Sequence, residues 1–185
     1  INRRLAFDEN GTAIRSQSVN LGTRNRLDLT ASTPVQLTSF WGLQLFSNLS
    51  YTSYPISHRS GFKTLNRWSS TFSLQQNISI NKTLKMNVAV LYYSPELRGV
   101  YLTRPSGWVD FGVRKAFLNN NLDVQFSLSD VFDSKRFWAF SQSDVINYYY
   151  KEKPASRIFS LSVRYHLGTE VAGSSVKETE EQKRL

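Results

Sequence analysis

The stretch SRIFSLSVRYHLG, residues Ser156 to Gly168, decides the fold. Phe159, Leu161, Val163, Tyr165 and Leu167 hold one parity, and Ser160, Ser162, Arg164 and His166 hold the other. Strand side chains alternate between two faces, so a period of two predicts a β-strand with one apolar and one polar face. Such an apolar face meets either a protein core or lipid, and the rest of the chain bears on which.

Helical periodicity is nearly absent, and the same alternation recurs in about eight segments. A short, weak one spans Ile1 to Asp8, followed by a polar loop, ENGTAIRSQS, with Asn10-Gly11 as a turn signal. Others run from Val19 to Ala31, Ser39 to Ser53, Lys63 to Ile80, Leu84 to Tyr93, Gly107 to Phe117 and Leu122 to Ser129. Short turns are expected at Pro34, Asn81-Lys82 and Asn119-Asn120-Asn121. They alternate with longer connections at YPISHRSGF (54–62), around Pro95, and from Lys135 to Ala155. Outer-membrane barrels alternate in this way, with short periplasmic turns and longer external loops. The segments run about 10–15 residues, against the ~5–6 usual in soluble sheets and the ~9–11 that cross a bilayer.

Composition narrows the function classes. The 185 residues carry no cysteine, which excludes a disulfide framework or a Cys-ligated metal, and only two histidines, His58 and His166. Net charge is +9, but the basic residues are scattered rather than clustered, which argues against nucleic acid as a partner. No run approaches the ~20 apolar residues of a membrane helix. No serine, carboxylate pair or glycine-rich loop has catalytic spacing, so no enzyme and no cofactor are expected. The chain opens at Ile1 inside an apparent strand and reads as part of a longer protein.

Aromatic residues are 14% of the chain, and those on the apolar parity tend to fall near segment ends. Trp41, Tyr51, Tyr92, Phe117 and Tyr165 are the expected girdle, where ring edges sit at headgroup level. Aromatics are also plain strand formers. Lipid offers backbone groups no water, so lipid-facing strands must close into a barrel. These observations predict an all-β fold: an antiparallel transmembrane β-barrel with about eight visible strands, which could close a small barrel alone or form the C-terminal part of a larger one, and the abrupt start favours the second.

At this point the residues resemble a known family. NLGTRNRLDLTASTPVQLTSFWGLQL, the hairpin GWVDFGVRKAFLNNNLDVQFSLSDVFDSKR, the terminal strand SRIFSLSVRYHLG and the charged ending EEQKRL occur in the family's order. They resemble the C-terminal part of the Bacteroidota outer-membrane β-barrel family, whose members are like TonB-dependent receptors. Leu167 stands where that family usually has Phe. The resemblance implies a barrel over 1–168 and a charged periplasmic tail over 169–185, in the bacterial outer membrane. It implies nutrient or ligand uptake: a ligand binds outer loops and a plug, and energy passed through TonB displaces the plug. It also implies outer-membrane lipid, the barrel assembly machinery, and a surface lipoprotein or other envelope subunits as partners. Two alternatives stand beside this: a structural barrel subunit of an envelope complex, and a soluble β-sandwich binding module.

Candidate sites follow from parity and loops. Trp138, Tyr148, Tyr149 and Tyr150 lie in the longest loop, where they either contact a ligand or pack against neighbouring loops. Asp110, Arg114, Asp123, Arg157 and Arg164 are expected on the lumen parity, to tune selectivity or to pair across strands. Asp130 falls on the apolar parity, which is costly in lipid. It is either a rim residue that hydrogen-bonds or pairs with Lys135, or a bulged residue facing water, and the second is the expectation.

Overall fold

A computed structural model describes residues 2–7, 10–19, 23–58, 61–99, 101–141 and 149–167. For 2–7, 14–19, 54, 56–58, 61 and 62 it describes the backbone alone. The tail 169–185 therefore lies outside the described residues.

Seven long antiparallel strands form the main sheet. They are β3 (Asn25–Thr38), β4 (Trp41–His58), β5 (Gly61–Ser79), β6 (Leu84–Tyr93), β9 (Ser106–Phe117), β10 (Leu122–Ser129) and β13 (Ile158–Tyr165), in the order β13-β10-β9-β6-β5-β4-β3. A separate hairpin pairs β1 (Asn2–Phe7) with β2 (Ile14–Val19). A third sheet, ordered β12-β11-β8-β7, joins β7 (Leu97–Arg98), β8 (Tyr101–Thr103), β11 (Phe137–Ser141) and β12 (Tyr149–Glu152). The main sheet is open, with β3 and β13 at its edges.

The turns show why the chain reverses where it does. At the β5–β6 turn, Oδ1 of Asn81 accepts from the backbone N–H of Thr83 (2.9 Å) and of Leu84 (2.8 Å) and from the Thr83 hydroxyl (3.0 Å). This Asx arrangement holds the reversal in place. At the β9–β10 turn, Leu118, Asn119 and Asn120 all have positive φ, which asparagine tolerates best among non-glycine residues.

Two proline readings fail. Pro34 is no turn but lies within β3, opposite Gln44, and the reversal comes at Ser39-Phe40. On a sheet edge its missing N–H costs no ladder bond. Pro55 does not open a loop either; β4 and β5 continue as a hairpin to His58 and Gly61, with Pro55 opposite Thr64. Among the described residues β3 accompanies β4 only as far as Ser53, so Pro55 lies beyond the ladder between β3 and β4. The predicted polar loop before Val19 contains β2, and the predicted loop from Lys135 contains β11 and β12.

Register decides the faces. Phe159, Leu161, Val163 and Tyr165 stand opposite Leu128, Phe126, Val124 and Leu122. Phe126 and Leu128 oppose Val113 and Phe111, which in turn oppose Met86 and Val88. Tyr92, Val90 and Met86 then meet Phe72, Leu74 and Ile78, and the row ends at Leu27, Leu29 and Val35 on β3. Every strand therefore presents its apolar parity to one common face.

That face is exposed. On inner strands Trp68, Phe72 and Tyr92 are 58%, 39% and 44% accessible, while Ser50, Thr52 and Asp123 on the other face are 3%, 1% and 7%. Among the described residues, the buried hydrophobic side chains are Leu97 and Ala139, both in the third sheet. Leaving Leu, Phe and Val side chains in water forgoes about 1.5–3 kcal/mol each, which lipid contact recovers. A soluble β-sandwich buries its apolar parity, and this sheet leaves its own half-buried or exposed.

Candidate functional site: the polar face and its outer sheet

The polar face is stitched across strands. Nδ2 of Asn48 donates to the Thr30 hydroxyl at 2.8 Å, and Nε2 of Gln44 donates to Ser32 at 3.0 Å. Ser50 and Ser69 hydroxyls meet at 3.0 Å. Arg26 binds both carboxylate oxygens of Asp28, at 2.9 and 2.8 Å. Such rows of hydroxyls and amides suit a wet lumen.

Arg114 and Asp123, from the predicted lumen set, form a two-point ion pair across β9 and β10, at 3.1 and 2.5 Å. His166 approaches the same carboxylate at 3.5 Å. Arg164 stands opposite Asp123 in the register, with no ion pair to it among the described residues. Arg157 departs from the expectation: it precedes β13 and so lies outside the alternation, not on the face of Arg164. Asp110 accepts the backbone N–H of Asp130 at 2.8 Å.

Asp130 does not face water; it is 1% accessible and sits in the turn beyond β10. Its φ of +47° swings the side chain out of strand alternation, which is why parity misplaced it. Oδ1 accepts from the Ser134 N–H (2.8 Å) and hydroxyl (3.0 Å). Oδ2 accepts from the Lys135 N–H (2.9 Å) and the Ser156 hydroxyl (2.5 Å). Burial pushes this carboxyl up, but the Ser156 hydroxyl and the donors of Lys135 and Ser134 outweigh it and hold the pKa at about 2. Lys135 contributes its backbone, not its ammonium, which lies 4.5 Å over the Trp108 ring.

The girdle set falls in two rows. Trp41, Phe117 and Tyr165 sit at strand ends beside the short turns. Tyr51 and Tyr92 sit towards the long-loop end, with Trp68 packed on Tyr51 at 5.0 Å. Trp68 belongs to the upper row, though strand-end position alone did not mark it. From Trp41 to Tyr51 the chain advances ten residues. At ~3.4 Å per residue and a tilt of ~40°, that is about 26 Å of height, matching the ~25 Å apolar band of such barrels.

The long-loop residues are ordered by the third sheet. Trp138 in β11 stands opposite Lys151, and Tyr149 and Tyr150 in β12 stand opposite Phe140 and Ala139. The Tyr150 ring meets Phe137 edge-on at 5.8 Å, and its hydroxyl donates to Glu152 at 2.8 Å. Tyr148 lies outside the described residues. Glu96 fastens this sheet to the wall, binding Arg98 at 2.9 Å and reaching Arg26 of β3 at 3.5 Å. Tyr93 and Trp108, aromatics on the polar parity, stack at 5.7 Å beneath it. Their place on the wet face was the signal in the sequence that something beyond alternation required them.

An open antiparallel sheet, apolar and exposed on one face, hydrogen-bonded and polar on the other, is the wall of a transmembrane β-barrel. A family model described as an outer membrane protein beta-barrel family matches residues 1–165, and the chain belongs to that family. It is accordingly an all-β protein of the bacterial outer membrane, with the apolar face towards lipid and the polar face towards the lumen. No curated protein and no solved structure matches it.

Proposed function

We propose that the chain is the C-terminal wall and outer-loop portion of a TonB-dependent-receptor-like barrel of the Bacteroidota type. It serves uptake of a nutrient or other ligand across the outer membrane. The long-loop end faces outward, and the short turns and the tail 169–185 face the periplasm. The barrel assembly machinery reads the final strand, with Tyr165 and Leu167 at its end. TonB energises a plug elsewhere in the full protein, and a surface lipoprotein or other envelope subunit presents the ligand.

One observation carries this reading: a polar hollow in the wall lies beside a cleft under the outer sheet, and the two share lining residues. Arg26, Asn48, Ser50 and Ser69 line a hollow of about 230 Å³ that shares Tyr93, Arg98 and Thr103 with that cleft. A wall with a purely structural task needs no such pair of lined cavities. Binding residues on loops above a rigid barrel are the common arrangement for recognition.

The test compares a strain lacking the full-length gene with one lacking TonB, each grown on a panel of single nutrient or metal-chelate sources. Loss of growth on the same source in both strains is the expected result. A loss that appears without the gene but not without TonB overturns the uptake mechanism and favours a structural subunit.

A further inference from the structure

The cleft under the outer sheet has a volume of about 240 Å³. Its rings are Tyr93, Trp108 and Phe137; its cations are Arg98, Arg104, Lys135 and Arg136; and its one carboxylate is Glu152. Ion pairs join Arg26 to Asp28, Arg98 of the cleft to Glu96, Arg114 to Asp123, and Lys153 to Asp133. Three cleft cations are held differently. Lys135 lies over Trp108 at 4.5 Å, and Arg104 and Arg136 each lie 5.8 Å from the Trp138 ring. Lys151 adds a further cation 4.6 Å from that same ring. Among the described residues, none of these four makes an ion pair.

A ring face attracts a cation through its quadrupole but neutralises no charge and fills none of its N–H donors. Like charges gathered this way raise the local potential, and a cleft with low-dielectric walls focuses it. Planar guanidinium groups are suited to two-point contact with a carboxylate, phosphate or sulfate.

We propose that this cleft binds the oxyanion group of a small soluble ligand, with Arg104, Lys135 and Arg136 as its donors. Tyr93, Ser106 and Trp108 place the cleft on the polar face, opposite the lipid-facing row, which favours a soluble ligand over a lipid headgroup. Tyr93, Arg98 and Thr103 line both this site and the hydroxyl-lined hollow of the wall. The proposal rests on the uptake reading for the fate of the ligand, but not for its binding.

The experiment is calorimetric titration of the detergent-extracted full-length protein with citrate, inorganic phosphate and inorganic sulfate, with glycerol as the neutral control. Binding of citrate, weakened by added salt and competed by phosphate or sulfate, is expected. The double variant Arg104→Gln/Arg136→Gln should weaken citrate binding at least about tenfold. Lys135→Gln should weaken it in the same direction. Lys153→Gln, whose charge is matched by Asp133, should leave it within about twofold. Heat-shifted gel mobility of each variant establishes that the barrel is folded. No heat from any of the three anions, equal binding of glycerol, or unchanged citrate affinity in both cleft variants overturns the proposal. Citrate binding that survives in phosphatidylcholine bilayers but is lost in phosphatidylglycerol assigns the cleft to a lipid headgroup and also overturns it. Citrate binding in a protein with no TonB-dependent uptake leaves the cleft standing and removes only the uptake reading.

Discussion

The Ser156 hydroxyl donates to Oδ2 of Asp130 at 2.5 Å, tying a residue two positions before β13 to the turn that ends β10, 26 positions earlier. Both side chains are buried, and Asp130 satisfies three further donors there. The register of the terminal hairpin thus depends on one carboxylate as well as on the ladder between β10 and β13.

Asp130→Ala should strip three donors of their acceptor, because the Ser134 hydroxyl keeps the Gly107 carbonyl at 2.8 Å. Unsatisfied buried donors cost about 1–3 kcal/mol each, with rotatable hydroxyls at the low end, so a loss of about 3–5 kcal/mol is expected. Asp130→Asn keeps one acceptor and should lose roughly half as much. The readout is the temperature at which the compact band of the full-length barrel disappears on a gel.

The same carboxyl predicts an acid response. Its pKa is lowered from the ordinary 3.8 to about 2, so its contribution to stability is complete above pH 4. That contribution is lost as pH falls through about 2. Band stability measured between pH 5 and pH 2 should therefore decline less steeply in Asp130→Asn than in the unsubstituted protein. Equal slopes would mean that the Asp130 carboxyl is not held ionised by this turn.

Neighbouring residues on β13 should respond in opposite ways to the same substitution. Leu161→Arg places a guanidinium on the lipid face, at a cost of about 2–4 kcal/mol near mid-bilayer. Ser162→Arg places it in the lumen and should be tolerated. The fraction of full-length protein recovered as a heat-shifted band measures both. Equal recovery would show that the two faces do not meet different solvents.

Breaking the tie between outer sheet and wall should loosen the sheet without unfolding the barrel. Glu96→Gln removes the charge shared by Arg26 and Arg98, partly exposed contacts worth about 1 kcal/mol together. Amides of Leu97–Thr103 should exchange about fivefold faster, while those of β9 and β10 stay unchanged. Uniformly faster exchange would mean that Glu96 holds the barrel itself.

Arg114→Met leaves the Asp123 carboxylate with His166 as its remaining ionic neighbour among the described residues. It should lower the temperature of band loss, by less than Asp130→Ala does. Restoring Lys at position 114 should recover part of the loss, because the charge returns without the two-point geometry.

The alternation of Leu122–Ser129 and of SRIFSLSVRYHLG was enough to locate β10 and β13, because period two follows from the pleat alone. The Asn-rich turns at 81 and 119–121 were legible for a local reason too, since asparagine supplies its own acceptor or tolerates positive φ. Pro34 and Pro55 misled because a proline's effect on a strand depends on whether its N–H side has a neighbour, and only the pairing shows that. The four short strands of the outer sheet were missed because two to five residues carry no period.

By itself, the sequence determined the strand content, the lengths that suit a bilayer crossing, and the presence of an apolar and a polar parity on each strand. These are local properties, set by the alternation of side chains along a single extended chain. Tertiary structure alone decided that all seven apolar parities share one face, because a register shift of one residue would send any strand's apolar side chains to the other side. It also decided that Asp130 is buried rather than wet, and that Arg104, Lys135 and Arg136 gather around rings instead of carboxylates. Those groups come from separate stretches of chain, and only folding sets the distances on which electrostatics and hydrogen bonding depend.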